Sequence, residues 1–260
     1  MRVATWNLKQ AVAPKKPLPQ LWQWMEDEVD PDVIILTEAK VPKDGFDDWA
    51  TQWNPQGIDP KRKWGTIIAG RGVELHKVTE VKVGRRTERL EHKWPAIVEV
   101  ADVIVEGDLW GTVAGIYGLT MDLSGKSCGH GRYSVPLALA ELDPLFNSDR
   151  FDRLILGGDF NMWPNDIPRF LREEMFDLVE LTGELRGPLN GCTGCDLGDD
   201  CCHVWTHKNG NSPNAARQQI DFLFSSKSLA EELHGIAAGV DDFPDAWEVS
   251  DHAPILVEFD

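Results

Sequence analysis

The chain has 260 residues, 42% of them hydrophobic and 27% charged, and carries a net charge of −17. That composition excludes a low-complexity or disordered chain, and the length suffices to bury a core without disulfide or metal staples. No window approaches the roughly 20 apolar residues of a membrane span. The start MRVATWNLKQ has no apolar run behind a basic region, so a soluble, cytoplasmic protein with no membrane span is expected.

In chain order, RVATWNL reads as a strand and PLPQLWQWMEDEV as a helix that can start after its prolines. DVIILTE is a β-branched run that suits a strand buried on both faces. WGTIIAG, ELHKVTEVKV, WPAIVEVADVIV and LWGTVAGIYGL read as further strands, several punctuated by glycine. SVPLALAELDPLF reads as one helix with Ser134 as cap and Pro136 in its first turn. RLILGGDF is another buried strand and IPRFLREEM another helix, and QQIDFLFSS and APILVEF close the chain as strands. So many consecutive strands without a crossover helix predict two packed sheets covered by helices, in a single domain spanning 1–260.

The charge is unevenly spread. Residues 61–93 hold ten Lys/Arg against four Asp/Glu, whereas the remainder holds 16 against 39. The acidic balance argues against a nucleic-acid partner. The basic segment reads either as a solvated strand-and-loop face or as a local track for a polyanion. Four of the five cysteines fall in CTGCDLGDDCCH (192–203). Cys192, Cys195, Cys201 and His203 form a possible structural zinc set, with reduced thiols in a glycine-rich loop or a redox-labile disulfide as the alternatives.

Polar residues recur where apolar strands end. Asn7 follows RVATW, Glu38 follows DVIILT, Tyr117 follows GTVAGI, and Asp159 and Asn161 follow LILGG. Asp221 interrupts QQIDFLF, and Asp251 and His252 precede APILVEF. Each taken alone is a turn cap or a solvated strand end. Gathered together, several carboxylates cost several kcal/mol each unless protons, cations or donors compensate. An oxygen-rich set of this kind suits a hard divalent ion, Mg²⁺ or Mn²⁺.

The blocks TWNL (5–8), ILTE (35–38), GIYG (115–118), GGDFN (157–161), QIDFLF (219–224) and SDH (250–252) occur in this order along the chain. The chain thereby resembles the endonuclease/exonuclease/phosphatase superfamily from its first strand to its last. The resemblance implies an α/β (α+β) fold, a four-layer αββα sandwich of two mixed β-sheets flanked by helices. It implies Glu38 as principal Mg²⁺ ligand with Asn7 and Asp251 nearby. It also implies Asp159 positioning or deprotonating the attacking water, and Asn161 holding that water or a phosphate oxygen. His252 would contact the phosphate, kept charged by Asp221, and Tyr117 matches a tyrosine of the apurinic-endonuclease branch. That branch usually carries arginine where Gln219 stands, with Arg217 two residues upstream, and the cysteine-rich insert has no counterpart there.

Trp205 and Arg132 are further substrate-binding candidates with Arg217, against ordinary core and surface readings. Three functions follow: a nuclease cleaving nucleic-acid phosphodiesters, a phosphatase or phosphodiesterase of a small molecule or lipid headgroup, and a non-catalytic binding module. The filled catalytic set favours metal-assisted hydrolysis, and Tyr117 with the basic segment favours the nuclease.

Overall fold

Strands apolar on both faces need cover on both faces, and this chain supplies it in four layers. The computed structural model describes residues 1–10, 15–58, 62–120, 126, 131–164, 166, 178–182, 203–210, 212 and 215–260. Its strands are β1 (Arg2–Asn7), β2 (Val33–Ala39), β3 (Trp49–Trp53), β4 (Gly65–Arg71), β5 (Glu74–Lys77), β6 (Glu80–Val83), β7 (Arg86–Arg89) and β8 (Val98–Val105). They continue as β9 (Asp108–Ile116), β10 (Leu154–Asp159), β11 (Leu178–Glu180), β12 (His207–Lys208), β13 (Arg217–Gln218), β14 (Asp221–Ser226), β15 (Leu233–Ala238) and β16 (Ile255–Phe259). Two six-stranded sheets result, ordered β15-β16-β1-β2-β4-β3 and β11-β14-β10-β9-β8-β5, with small ribbons β6-β7 and β12-β13. Both large sheets are mixed, as expected: β1–β2 and β9–β10 are parallel, and the other pairs are antiparallel.

Three apolar interfaces separate the four layers. Helix α1 (Leu18–Trp24) and the π-helical turn Met25–Val29 bury Leu21, Trp22 and Met25 against Ala4, Trp6, Ile34 and Leu36. Helices α2 (Ser134–Glu141) and α3 (Asp143–Phe146) bury Val135, Ala138, Leu142 and Leu145 against Ala114, Ile116, Leu154, Leu156 and Phe224. Between the sheets, Val3, Val33, Ile35, Ile68 and Val257 meet Val103, Val113, Ile155 and Leu223. Period-two alternation assigns each strand residue to one interface or the other. The sheets approach closely at Gly115, where a Cβ would lie 2.7 Å from Thr66 Cγ2 and 2.8 Å from Ile35 Cγ2.

Several expectations change in detail. ELHKVTEVKV is two strands, because β5 joins the second sheet while β6 pairs only with β7. The segment 134–146 is two helices, since Pro144 has no N–H to continue the first, and the chain turns at Leu142. Ser134 lies inside α2 rather than capping it, and its hydroxyl accepts from Leu119 N at 2.7 Å. Within the basic segment, Arg85, Arg86 and Arg89 are exposed on the β6-β7 ribbon, while Lys77 pairs with the buried Glu99 at 2.8 Å. The helix expected over 167–175 lies outside the described residues. Among the described residues no helix is long and apolar enough to cross a membrane.

Candidate active site

Parallel neighbours finish on the same rim, and in open α/β sheets ligands bind beyond carboxyl strand ends. The central parallel pair of each sheet therefore decides where the polar strand ends meet. β1 ends in Asn7 and β2 runs through Glu38, while β9 is followed by Tyr117 and β10 ends in Asp159. The antiparallel β14 starts at this rim, with Asp221 directly opposite Asp159. β16 enters from it just after Asp251 and His252.

Alternation explains most of the aim but not all. Thr5 and Asn7 follow Val3 into the space between the sheets, and Asp159 follows Ile155. Glu38 breaks the pattern, because its parity matches Ile34 and Leu36 on the outer face. A register irregularity between Leu36 and Ala39, with Glu38 at φ 45°, turns its carboxylate back to accept from Tyr117 Oη at 2.8 Å. Lys9 and Asn161 are also left-handed, at φ 52° and 48°. Three of the five described non-glycine residues with positive φ thus border one site, where backbone strain concentrates in functional centres.

Asp159 is the hub. Its Oδ2 accepts from Asn7 Nδ2 at 2.8 Å and Asn161 Nδ2 at 3.1 Å, and its Oδ1 accepts from Asn161 N at 2.8 Å. His252 Nδ1 lies 2.8 Å from Asp221 Oδ2, and its Nε2 lies 4.0 Å from Asp159 Oδ2. The imidazole thus bridges carboxylates of two neighbouring strands. Its backbone is fixed by Trp6 Nε1 donating to His252 O at 2.9 Å and by His252 N donating to Ser250 Oγ at 3.2 Å. Thr206 Oγ1 accepts from Ile220 N and Asp221 N, which fixes the start of β14. Asp251 pairs with the Lys9 ammonium, and Lys9 N donates to Asn7 Oδ1 at 2.8 Å.

Burial and charge set the protonation states. Burial raises the pKa of Asp159 well above its ordinary value, and the facing Asp221 adds to it. Burial likewise raises Glu38 and holds Tyr117 as a neutral phenol. Burial opposes charge on His252, but attraction and hydrogen bonding from Asp221, then Asp159 and Asp251, outweigh it and push its pKa up to about 10. His207, whose ring centre is 4.5 Å from that of His252, goes the other way: burial and the neighbouring cation lower it to about 3. Its neutral Nδ1 accepts from Gln218 Nε2 at 3.1 Å.

Ligand atoms of Asp159, Asp221 and His252 lie within 4.8 Å of one another, a grouping able to hold a metal ion. In this arrangement, however, His252 is a charged donor to Asp221, and a protonated imidazole does not ligate a cation. The oxygen donors of Glu38, Asn7 and Asp251 fit a hard divalent ion better. Among the described residues Asp251 Oδ1 and Asp221 Oδ1 are both buried without a hydrogen-bond partner, as ligand atoms awaiting an ion would be.

The structure brings together all eight residues expected in the catalytic and metal sets. Of the substrate-binding candidates, Arg217 and Trp205 meet in a stack in which the guanidinium sits 4.9 Å from the Trp205 ring and 5.2 Å from that of Trp247. Arg132 is exposed and pairs with Asp166 at 3.0 Å. Gln219 is buried in a structural role, accepting from Val204 N at 2.9 Å and donating to Glu180 Oε1 at 3.2 Å. Cys192, Cys195 and Cys201 lie outside the described residues, and His203 is buried. The sequence reading missed Lys9, His207 and Trp247. Lys9 had a signal, since Asn-x-Lys at a strand end puts two polar groups on one side.

No family model and no curated protein sequence matches the chain. Solved structures do. A 3′-5′ exonuclease from Neisseria meningitidis superposes with a TM-score of 0.64 at 17% identity, covering 100% of both chains. TDP2 from D. rerio, complexed with a single-strand DNA product, gives 0.63 at 16% identity over 100% of this chain and 98% of the other. An AP endonuclease from Archaeoglobus fulgidus gives 0.60 at 16% identity over 100% and 99%. The chain shares the fold of these solved structures over essentially its whole length.

Proposed function

We propose that the chain is a divalent-metal-dependent phosphoester hydrolase acting on nucleic acid. The observation that carries this reading is the Asp221–His252–Asp159 bridge across β14, β16 and β10, with Asn7 and Asn161 both donating to Asp159. Water beside Asp159 is oriented by that carboxylate and loses its proton to it during attack on phosphorus. Burial raises the pKa of Asp159, which makes it a stronger acceptor for that proton. His252, held cationic, offsets charge on the phosphoryl oxygens as the bond to the leaving oxygen breaks. Tyr117 orients Glu38, and Ser250 and Thr206 hold the strand ends in register. Glu38, Asn7 and Asp251 would hold Mg²⁺ or Mn²⁺, which polarises a phosphoryl oxygen when bound.

The solved neighbours named for exonuclease and AP endonuclease activities support a nucleic-acid substrate. The net charge of −17, and the inward-turned Gln219, favour a second reading, hydrolysis of a small-molecule or lipid-headgroup phosphoester. Turnover of mixed single- and double-stranded DNA and of bis-p-nitrophenyl phosphate separates the two, each with and without chelator and with Asp159→Asn. Chelator-sensitive DNA cleavage that the variant lacks supports the proposal. Activity confined to the small diester supports the second reading.

A further inference from the structure

Asn161 opens from the catalytic rim onto a second feature. Together with Met162, Trp163, Arg132 and Asp166 it lines a cavity of about 190 Å³. Trp163 and Tyr133 are two of the three large hydrophobic side chains exposed among the described residues, at 44% and 53%. The third, Leu109, belongs to the beginning of β9 and so to the opposite rim.

Each of the two exposed rings has a cation beside it, and Lys93 Nζ also donates to Tyr133 Oη at 3.2 Å. The Arg132 guanidinium lies 5.7 Å from the Trp163 ring centre, and the Lys93 ammonium lies 5.4 Å from that of Tyr133. Arg132 and Tyr133 are consecutive, so the two pairs lie along one edge that begins beside Asn161. Trp94 is buried beneath it, edge-on to Tyr133 at 6.0 Å and 4.8 Å from Lys93 Nζ, and it anchors the outer pair.

Exposed aromatic faces alternating with cations match the needs of an unpaired nucleic-acid strand: rings for the bases and charges for the phosphates. A duplex stacks its base faces on each other and presents none to such rings. Among the described residues Asp166 is the carboxylate that holds Arg132, at 3.0 Å, so a phosphate at this position competes with a half-buried carboxylate for the guanidinium.

We infer that the edge Trp163–Arg132–Tyr133–Lys93 binds an unpaired nucleic-acid strand and delivers its phosphate to Asp159, making single-stranded segments the preferred substrate. The inference rests on the nucleic-acid reading above and deepens it. Its test is fluorescence anisotropy of the full chain with a labelled 12-nucleotide single strand and a blunt duplex of the same sequence, alongside turnover of both. Trp163→Ala and Tyr133→Ala should each weaken single-strand binding about 5- to 10-fold, the lower part of the range for base–aromatic stacking. Duplex binding should change by less than about threefold, and the conservative Trp163→Phe and Tyr133→Phe should restore most of the single-strand affinity. Arg132→Gln with Lys93→Gln should lower the single-strand salt slope by roughly 1.4, at about 0.7 for each phosphate left without its cation. Leu109→Ala, on the opposite rim, should change nothing.

Equal losses on single strand and duplex, no loss on either, or a wild type without single-strand preference overturns the strip while leaving nuclease activity standing. A wild type that hydrolyses bis-p-nitrophenyl phosphate but neither binds nor cuts nucleic acid overturns both.

Discussion

The charge on His252 is the feature whose removal can be worked out most fully. Asp221 is fully buried, with Oδ2 2.8 Å from His252 Nδ1. The folded pKa of His252 is about 10 against an ordinary 6.5. A cation with a raised folded pKa stabilises the fold fully below about pH 6.5, and that stabilisation is lost as pH rises through about 10. At about 1.4 kcal/mol per pH unit, the interval corresponds to about 5 kcal/mol. In Asp221→Asn the largest attraction is gone while burial and the weaker pulls of Asp159 and Asp251 remain, so the imidazole pKa falls below that of the wild type. Breaking a buried pair costs about 3–5 kcal/mol. At roughly 2–4 °C per kcal/mol for a chain of this size, Tm should fall by about 6–20 °C at pH 7. Thermal melts followed by circular dichroism at pH 7 and pH 10.5 check this: the gap between wild type and variant should be wide at the first and largely closed at the second. An equal gap at both pH values would refute the ion pair as its source.

Asp159→Asn should lower turnover roughly 100- to 10,000-fold, as loss of a general base does; steady-state rates of a preparation whose melt shows it folded test this. Lys9→Met should tighten Mn²⁺ binding about tenfold or more, since Asp251 loses its competing cation; calorimetric titration reads this, and unchanged affinity would exclude Asp251 from the metal set. Gly115→Ala should cost about 1–3 kcal/mol in urea denaturation, because its new methyl would sit 2.7 Å from Thr66 Cγ2 and force the sheets apart.

Much of this protein can be read from its residues alone. Period-two alternation and β-branched runs identify strands such as β1, β2, β10 and β14, because a strand's burial pattern is a local property of the chain. The order of six short polar blocks names the residues of the site, and Asp159 and Asn161 follow directly from an apolar strand that ends in carboxylate and carboxamide. Other features depend on contacts between distant segments. ELHKVTEVKV breaks its period-two alternation between Leu75, Val78 and Val81, which marks a join, but that β5 and β6 belong to different sheets is decided by pairing with β8 and β7. Glu38 reaches Tyr117 only because a register irregularity against β4 reverses its side.

The state of the site is equally a tertiary matter. Whether His252 is charged depends on Asp221, 31 residues earlier, and Asp159, on the next strand, being buried around it. Lys9 meets Asp251 across 242 residues, and Arg217 finds Trp205 and Trp247 from two separate segments. Composition and periodicity are sums over neighbours in the chain, and they determined which side chains this protein has to offer. Coulomb energies and desolvation depend on distance in space, so only the folded sheets decided which of those side chains face one another and in what charge state.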